Sequence, residues 1–171
     1  MPTPPTRPEL LAEVATEAPR QAAAAVRFSI AIAHQLGMPL TDVQCMGLLA
    51  AGPAAPSDLA GQLGLTTGAM TKVLDRLEES GFVNRSPDPT DRRRIVITAE
   101  PGGFEVLAPY YAPMAEKMAG HLSEYSDAEL RTVLSFMRAG RIAADEEIAR
   151  VREQGIAHAT RRRAAGIHPS A

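Results

Sequence analysis

The chain has 171 residues, 45% apolar and only 4% aromatic, with 18 Lys and Arg against 20 Asp and Glu for a formal net charge of −2. That length suits one domain with a real core, and the abundance of Ala, Leu, Val and Met without a Trp favours helix packed on helix over a β-sandwich. The acidic balance excludes a generic nucleic-acid coater, the single Cys45 excludes an internal disulfide, and the absence of a membrane-length or signal-peptide apolar run makes the cytoplasm the expected location, with no membrane partner.

Residues 1–8 are rich in Pro and are expected to be a disordered tail. Residues 9–37 are helix-forming, with Val26, Ile30 and Ala33 on one stripe, Phe28 and Ile32 beside it, and Gly37 and Pro39 as the stop. A second helix over 41–51 is expected to bury Val43, Met46, Leu48 and Leu49, and Gly52-Pro53 separates it from the next element. Ser57 is placed to cap a short helix carrying Leu59, Ala60 and Leu63, which Gly64 ends by taking a positive φ. Thr66 or Thr67 starts the next helix. Its Met70, Val73, Leu74 and Leu77 recur at helical spacing, which leaves Thr67, Gly68, Thr71, Lys72 and Asp75 outward on a face suited to a major groove.

Gly81 closes that helix and Phe82 supplies a hydrophobic contact after it. Two strand-like runs, 82–86 and 94–98, flank the turn-rich segment Pro87-Asp88-Pro89-Thr90-Asp91-Arg92-Arg93. Asp91, two residues before Arg93, is expected to brace that guanidinium by a charge-assisted pair, and an arginine held on a narrow loop suits a minor groove. Helix, turn, helix and arginine-tipped hairpin make a winged helix-turn-helix.

Beyond the hairpin, Pro101-Gly102-Gly103 reads as a hinge. The helix over 104–122 contains Pro109 and Pro113 and is expected to bend or break there. Ser126-Asp127-Ala128-Glu129 is a capping box, so a last helix starts near Ser126 and runs through Val133, Leu134, Met137, Ile142 and Ile148 toward Gln154. Residues 156–171, with Arg161-Arg162-Arg163, are expected to be a flexible basic tail. The fold class is therefore mainly α with a small β-hairpin wing. Apolar stripes on long terminal helices would be exposed on a monomer, so a second copy is their natural partner.

Leu40-Thr41, Asp58-Leu59-Ala60, Val73-Leu74-Asp75-Arg76-Leu77-Glu78 followed by Gly81-Phe82-Val83, and above all Asp88-Pro89-Thr90-Asp91-Arg92-Arg93 resemble the MarR family of bacterial transcription regulators. The resemblance extends over about residues 9–154. It implies a homodimer built from an N-terminal dimerisation helix (9–37) and C-terminal dimerisation helices (101–155) around a winged DNA-binding domain (38–100). It also implies two recognition helices in successive major grooves of double-stranded DNA at a pseudo-palindromic operator, and repression relieved when a small aromatic or phenolic effector fills a crevice. Phe28, Ile32, Met46, Tyr110, Tyr111 and Met114 are the candidate lining of that crevice.

On DNA, Thr67, Gly68, Thr71 and Lys72 are placed for base or near-base contacts, Arg76 and Arg85 for phosphates, and Arg92 or Arg93 for the minor groove. No cofactor is implied. His34, His121, His158 and His168 lack paired metal-ligand spacing and no nucleophile motif is present, so an enzyme is not expected. The rival readings are a winged-helix protein that binds a partner or ligand without specific DNA binding, and a metal- or redox-responsive regulator using His34, Cys45 or His121. Cys45 sits in an apolar helix with no basic neighbour, which favours an inert thiol.

Overall fold

The structure is a computed structural model that describes residues 4–164, without the side chains of residue 153 and of residues 155–164. Its elements run α1 (Arg7–Leu36), α2 (Leu40–Leu49), α3 (Pro56–Leu63), α4 (Thr67–Glu79), β1 (Val83–Pro87), β2 (Ile95–Ala99), α5 (Pro101–Leu122) and α6 (Asp127–Ala164). The chain divides into two compact units at Pro113/Met114.

In the first unit the core is built where α2, α3 and α4 meet the hairpin. Val43, Cys45, Met46, Leu59 and Ile97 are wholly buried, and Met70, Leu74 and Leu77 are nearly so. Each large aliphatic side chain buried this way stabilises the fold by about 1.5–3 kcal/mol. α4 is strongly amphipathic because Met70, Val73, Leu74 and Leu77 fall on one face, as their spacing requires. Gly64 and Gly81 both take left-handed backbone, with φ 69° and 70°. Each lets the chain turn so that the next residue bonds back into the helix, Leu65 N–H to the Ala60 carbonyl at 2.9 Å and Phe82 N–H to that of Leu77 at 2.8 Å.

The hairpin is antiparallel, with Val83 opposite Ala99, Arg85 opposite Ile97 and Pro87 opposite Ile95. A third segment joins it. Ala54 exchanges two backbone hydrogen bonds with Ile97, at 3.1 and 2.8 Å, so the loop after α2 covers the open edge of β2.

Several elements differ from the sequence expectation. α1 starts at Arg7 rather than residue 9, because the Glu9 carboxylate takes both the backbone N–H and the hydroxyl of Thr6 at 2.7 Å and so orders the helix start; residues 1–3 of the expected tail lie outside the described residues. On α1 the inward stripe is Phe28, Ile32, Ala33 and Leu36, while Val26 and Ile30 remain about half exposed. α3 is capped by Ala55 with Pro56 in its first turn, and Ser57 bonds to its neighbour Asp58 instead.

Pro101-Gly102-Gly103 is the first turn of α5 rather than a hinge, and α5 continues unbroken through Pro109 and Pro113. A proline keeps helical φ and deletes one bond, at a cost of about 3 kcal/mol, and beside Pro109 the burial of Leu107 and the packing of Tyr110 and Tyr111 on the core work against a break. α6 starts after Ser126 as the capping box requires, with the Glu129 carboxylate taking the Ser126 N–H at 2.8 Å. It extends past Gln154 to Ala164. The side chains of Arg161, Arg162 and Arg163, and all of residues 165–171, lie outside the described residues.

Candidate nucleic-acid interface

α4 presents its first turns to solvent. Thr66 caps it by accepting the Ala69 N–H at 3.3 Å, and Thr67, Gly68, Thr71 and Lys72 lie on the exposed face. The Thr71 hydroxyl donates back to the Thr67 carbonyl at 3.0 Å, which leaves its oxygen able to accept a further hydrogen bond. A Cβ built on Gly68 would meet nothing within 4 Å, so the small residue is not required by packing.

The residues midway along α4 are braced on both sides. Arg76 reaches back to Asp42 in the first turn of α2, donating through Nε at 3.1 Å and a terminal nitrogen at 2.6 Å. The Asp42 side chain is only 4% exposed, and its hydrogen bonds to Arg76 hold that guanidinium above its ordinary pKa. On the other flank Arg85 of β1 donates one terminal nitrogen to Asp75 at 2.6 Å and the other to Glu78. The sequence expectation for Arg85 is a phosphate anchor. In the free protein both of its terminal nitrogens are instead occupied, because pairing with buried Ile97 places Arg85 on the inner face of the hairpin, toward α4.

The wing is ordered by two aspartates. One Asp88 oxygen accepts the Thr90 N–H at 2.7 Å, the Thr90 hydroxyl at 2.6 Å and the Asp91 N–H at 3.3 Å, and these bonds lower the Asp88 pKa. Asp91 accepts the backbone N–H of Arg93 at 3.1 Å, not its guanidinium. Asp91 therefore shapes the loop without tying up the arginine, since an Asx turn satisfies its carboxylate locally. Arg92, Arg93 and Arg94 are exposed at the tip. Among the described residues, Lys72, Arg92 and Arg93 carry no ion pair within the chain, and these three cations lie on α4 and the wing. Asp42 and Asp88 are site residues that the sequence reasoning leaves out. Asp42 lies 34 positions from Arg76, so no local pattern reveals it, whereas the Asp-Pro-Thr turn signal is there for Asp88.

This arrangement matches known proteins. The family model described as MarR family matches residues 46–95, and the Bacillus subtilis (strain 168) uncharacterized HTH-type transcriptional regulator YcgE is 34% identical over 129 residues, covering 75% of this chain and 84% of that protein. The chain belongs to the MarR family. The multiple antibiotic resistance protein MarR of Salmonella typhimurium is 24% identical over 98 residues, 57% of this chain and 65% of that protein. In fold, the crystal structure of RV1404 from Mycobacterium tuberculosis is similar at a TM-score of 0.52 and 22% identity, over 80% of this chain and 96% of that one. This MarR-family chain is thus a transcriptional regulator with a DNA-binding fold, not an enzyme.

The candidate effector residues are only partly gathered. An apolar cleft of about 340 Å³ is lined by Met46, Gly47, Ala50, Phe104, Leu107, Ala108 and Tyr111. Met46 and Tyr111 thus belong to it. Phe28 stacks edge-on against Tyr111, ring centres 5.5 Å apart, and so supports the wall. Ile32 is a core residue and Tyr110 packs on the core without lining the cleft, while Met114 falls in the second unit and is 45% exposed. Phe104, Leu107 and Ala108 lie on a helix that the sequence predicts, but which of its faces meets Met46, Gly47 and Ala50 is set by tertiary packing, so no local signal picks them out. Cys45 is fully buried; burial, and then the Asp42 charge, push its thiol up to about 11. No cluster of three or more His, Cys, Asp or Glu suited to a metal occurs among the described residues, and no described helix is long and apolar enough to cross a membrane.

Proposed function

We propose that the chain works in the cytoplasm as a homodimeric, sequence-specific repressor that reads a pseudo-palindromic operator and leaves it when a small aromatic or phenolic effector binds. The observation that carries the DNA reading is the pairing of an exposed recognition-helix start, Thr67 to Lys72, with wing cations Arg92 and Arg93 that form no ion pair among the described residues. Threonine methyls and hydroxyls suit base edges, and a guanidinium on a narrow loop suits a minor groove. Arg76, 44% exposed beyond its bond to Asp42, is available to a phosphate.

The dimer reading is supported by α1 and α6, each of which exposes large apolar side chains: Leu10, Leu11, Val14, Val26 and Ile30 on the first, Leu134, Phe136, Met137, Ile142 and Ile148 on the second. The effector reading is supported by the apolar cleft beside Tyr111, whose size suits a small aromatic molecule. The deciding experiment is anisotropy binding across a salt series to a duplex selected from a randomised pool, against a scrambled duplex of equal length. Two protomers per selected site, bound much more tightly than the scramble, is the expected result. Equal, weak binding to both overturns it in favour of a partner-binding member of the family.

A further inference from the structure

We propose that Arg85 is a positioning residue: by gripping Asp75 and Glu78 together it holds the wing at a set angle to α4, so that Arg92, Arg93 and the start of α4 meet one duplex as a single surface. The proposal rests on the DNA-binding reading above. Arg85 leaves β1 on the hairpin face that carries buried Val83 and Ile97, and its two terminal nitrogens go to separate carboxylates one helical turn apart on α4. A planar guanidinium held at both nitrogens restricts rotation as well as distance, which a lysine ammonium does not. Asp75, Glu78 and Arg85 are all partly exposed, at 49%, 39% and 29% of their side chains, so the pairs add little to global stability and act on the local opening and angle of the hairpin. On the next residue of α4, Arg76 turns the other way to Asp42, so the helix is tied to α2 on one flank and to the wing on the other.

Charge gives the test its sign. Two carboxylates beside a surface that meets phosphates weaken attraction to DNA, so removing them tightens binding if they are bystanders. If they hold the wing, removing them loosens binding. The test compares wild type with Asp75→Asn/Glu78→Gln, with Arg85→Lys, with Arg92→Ala/Arg93→Ala, and with the carboxylate and wing changes combined. Thermal unfolding verifies that each variant is folded. Hydrogen exchange in the free protein reads residues 84–96, and anisotropy reads binding to the selected duplex.

The expected result is roughly tenfold faster exchange across the hairpin in the carboxylate and Arg85→Lys variants. DNA affinity is expected to fall about five- to tenfold despite the lost negative charge, and the wing arginines to matter less in the combined variant than in wild type, the non-additivity of groups acting as one unit. Unchanged exchange, equal or tighter DNA binding, or a wing effect that simply adds overturns the proposal. If wild type prefers its selected duplex no more than the scramble, the DNA-binding reading itself falls, and the exchange measurement still decides whether Arg85 holds the wing.

Discussion

Cys45 and Gly103 each turn on a few ångströms of surroundings. The Cys45 thiol, raised from 9.0 to about 11, keeps its proton in the folded state where the unfolded chain loses it. The folded state then binds more protons between those values, so its stability is full below about pH 9 and falls as pH rises toward about 11, by at most about 2–3 kcal/mol. Denaturant unfolding near pH 8 and near pH 10.5 is expected to show wild type losing its margin over Cys45→Ala, in which the other alkaline groups still titrate. Parallel losses in both proteins would contradict the burial. Gly103 faces tighter limits: a Cβ there would lie 2.7 Å from the Met46 methyl and 2.8 Å from the Phe82 carbonyl oxygen, whereas one on Gly102 would meet only the Gly81 carbonyl at 4.0 Å. Gly103→Ala is expected to destabilise by about 1–3 kcal/mol and Gly102→Ala not at all, read by thermal unfolding. The backbone oxygen cannot swing aside as the methionine methyl can, which sets the difference.

At the scale of elements, the wing and α5 show how local chemistry competes with context. Asp88 and Asp91 shape the loop and leave Arg92 and Arg93 free, so Arg92→Ala/Arg93→Ala is expected to weaken binding to the selected duplex at least about tenfold and to flatten its salt dependence, without changing the melting temperature. Unaltered affinity would remove the wing from the interface. Since hydrogen bonds from Thr90 lower the Asp88 pKa below its ordinary 3.8, the turn is stable above that value and is lost as pH falls through the lowered one. The amide resonances of Thr90 and Asp91 are expected to move together on that acid limb, and Asp88→Asn, which has no titrating carboxylate there, to abolish the transition. In α5 context prevails over local chemistry: Pro109 and Pro113 each remove one hydrogen bond, yet the helix is unbroken, and on either side of Pro109 the side chains of Leu107, Tyr110 and Tyr111 are packed into or onto the core.

At the scale of the molecule, the apolar side chains of α1 and α6 bear on assembly. Leu134→Glu/Met137→Glu is expected to shift sedimentation from dimer to monomer and to abolish tight DNA binding, and the wild-type melting temperature to rise with protein concentration as linkage requires. Concentration-independent melting would remove the dimer. By itself the sequence determined the helix-turn-helix, the wing and the family, because spacing, left-handed glycines and the Asp-Pro-Thr-Asp-Arg-Arg run are local signals that neighbours in the chain carry without help. Only tertiary structure decided that Arg76 pairs with Asp42, that Arg85 grips Asp75 and Glu78, that Ala54 joins the sheet and that Gly103 is a packing contact. Those pairings depend on which residues folding brings within a few ångströms, and separation along the chain carries no trace of that distance.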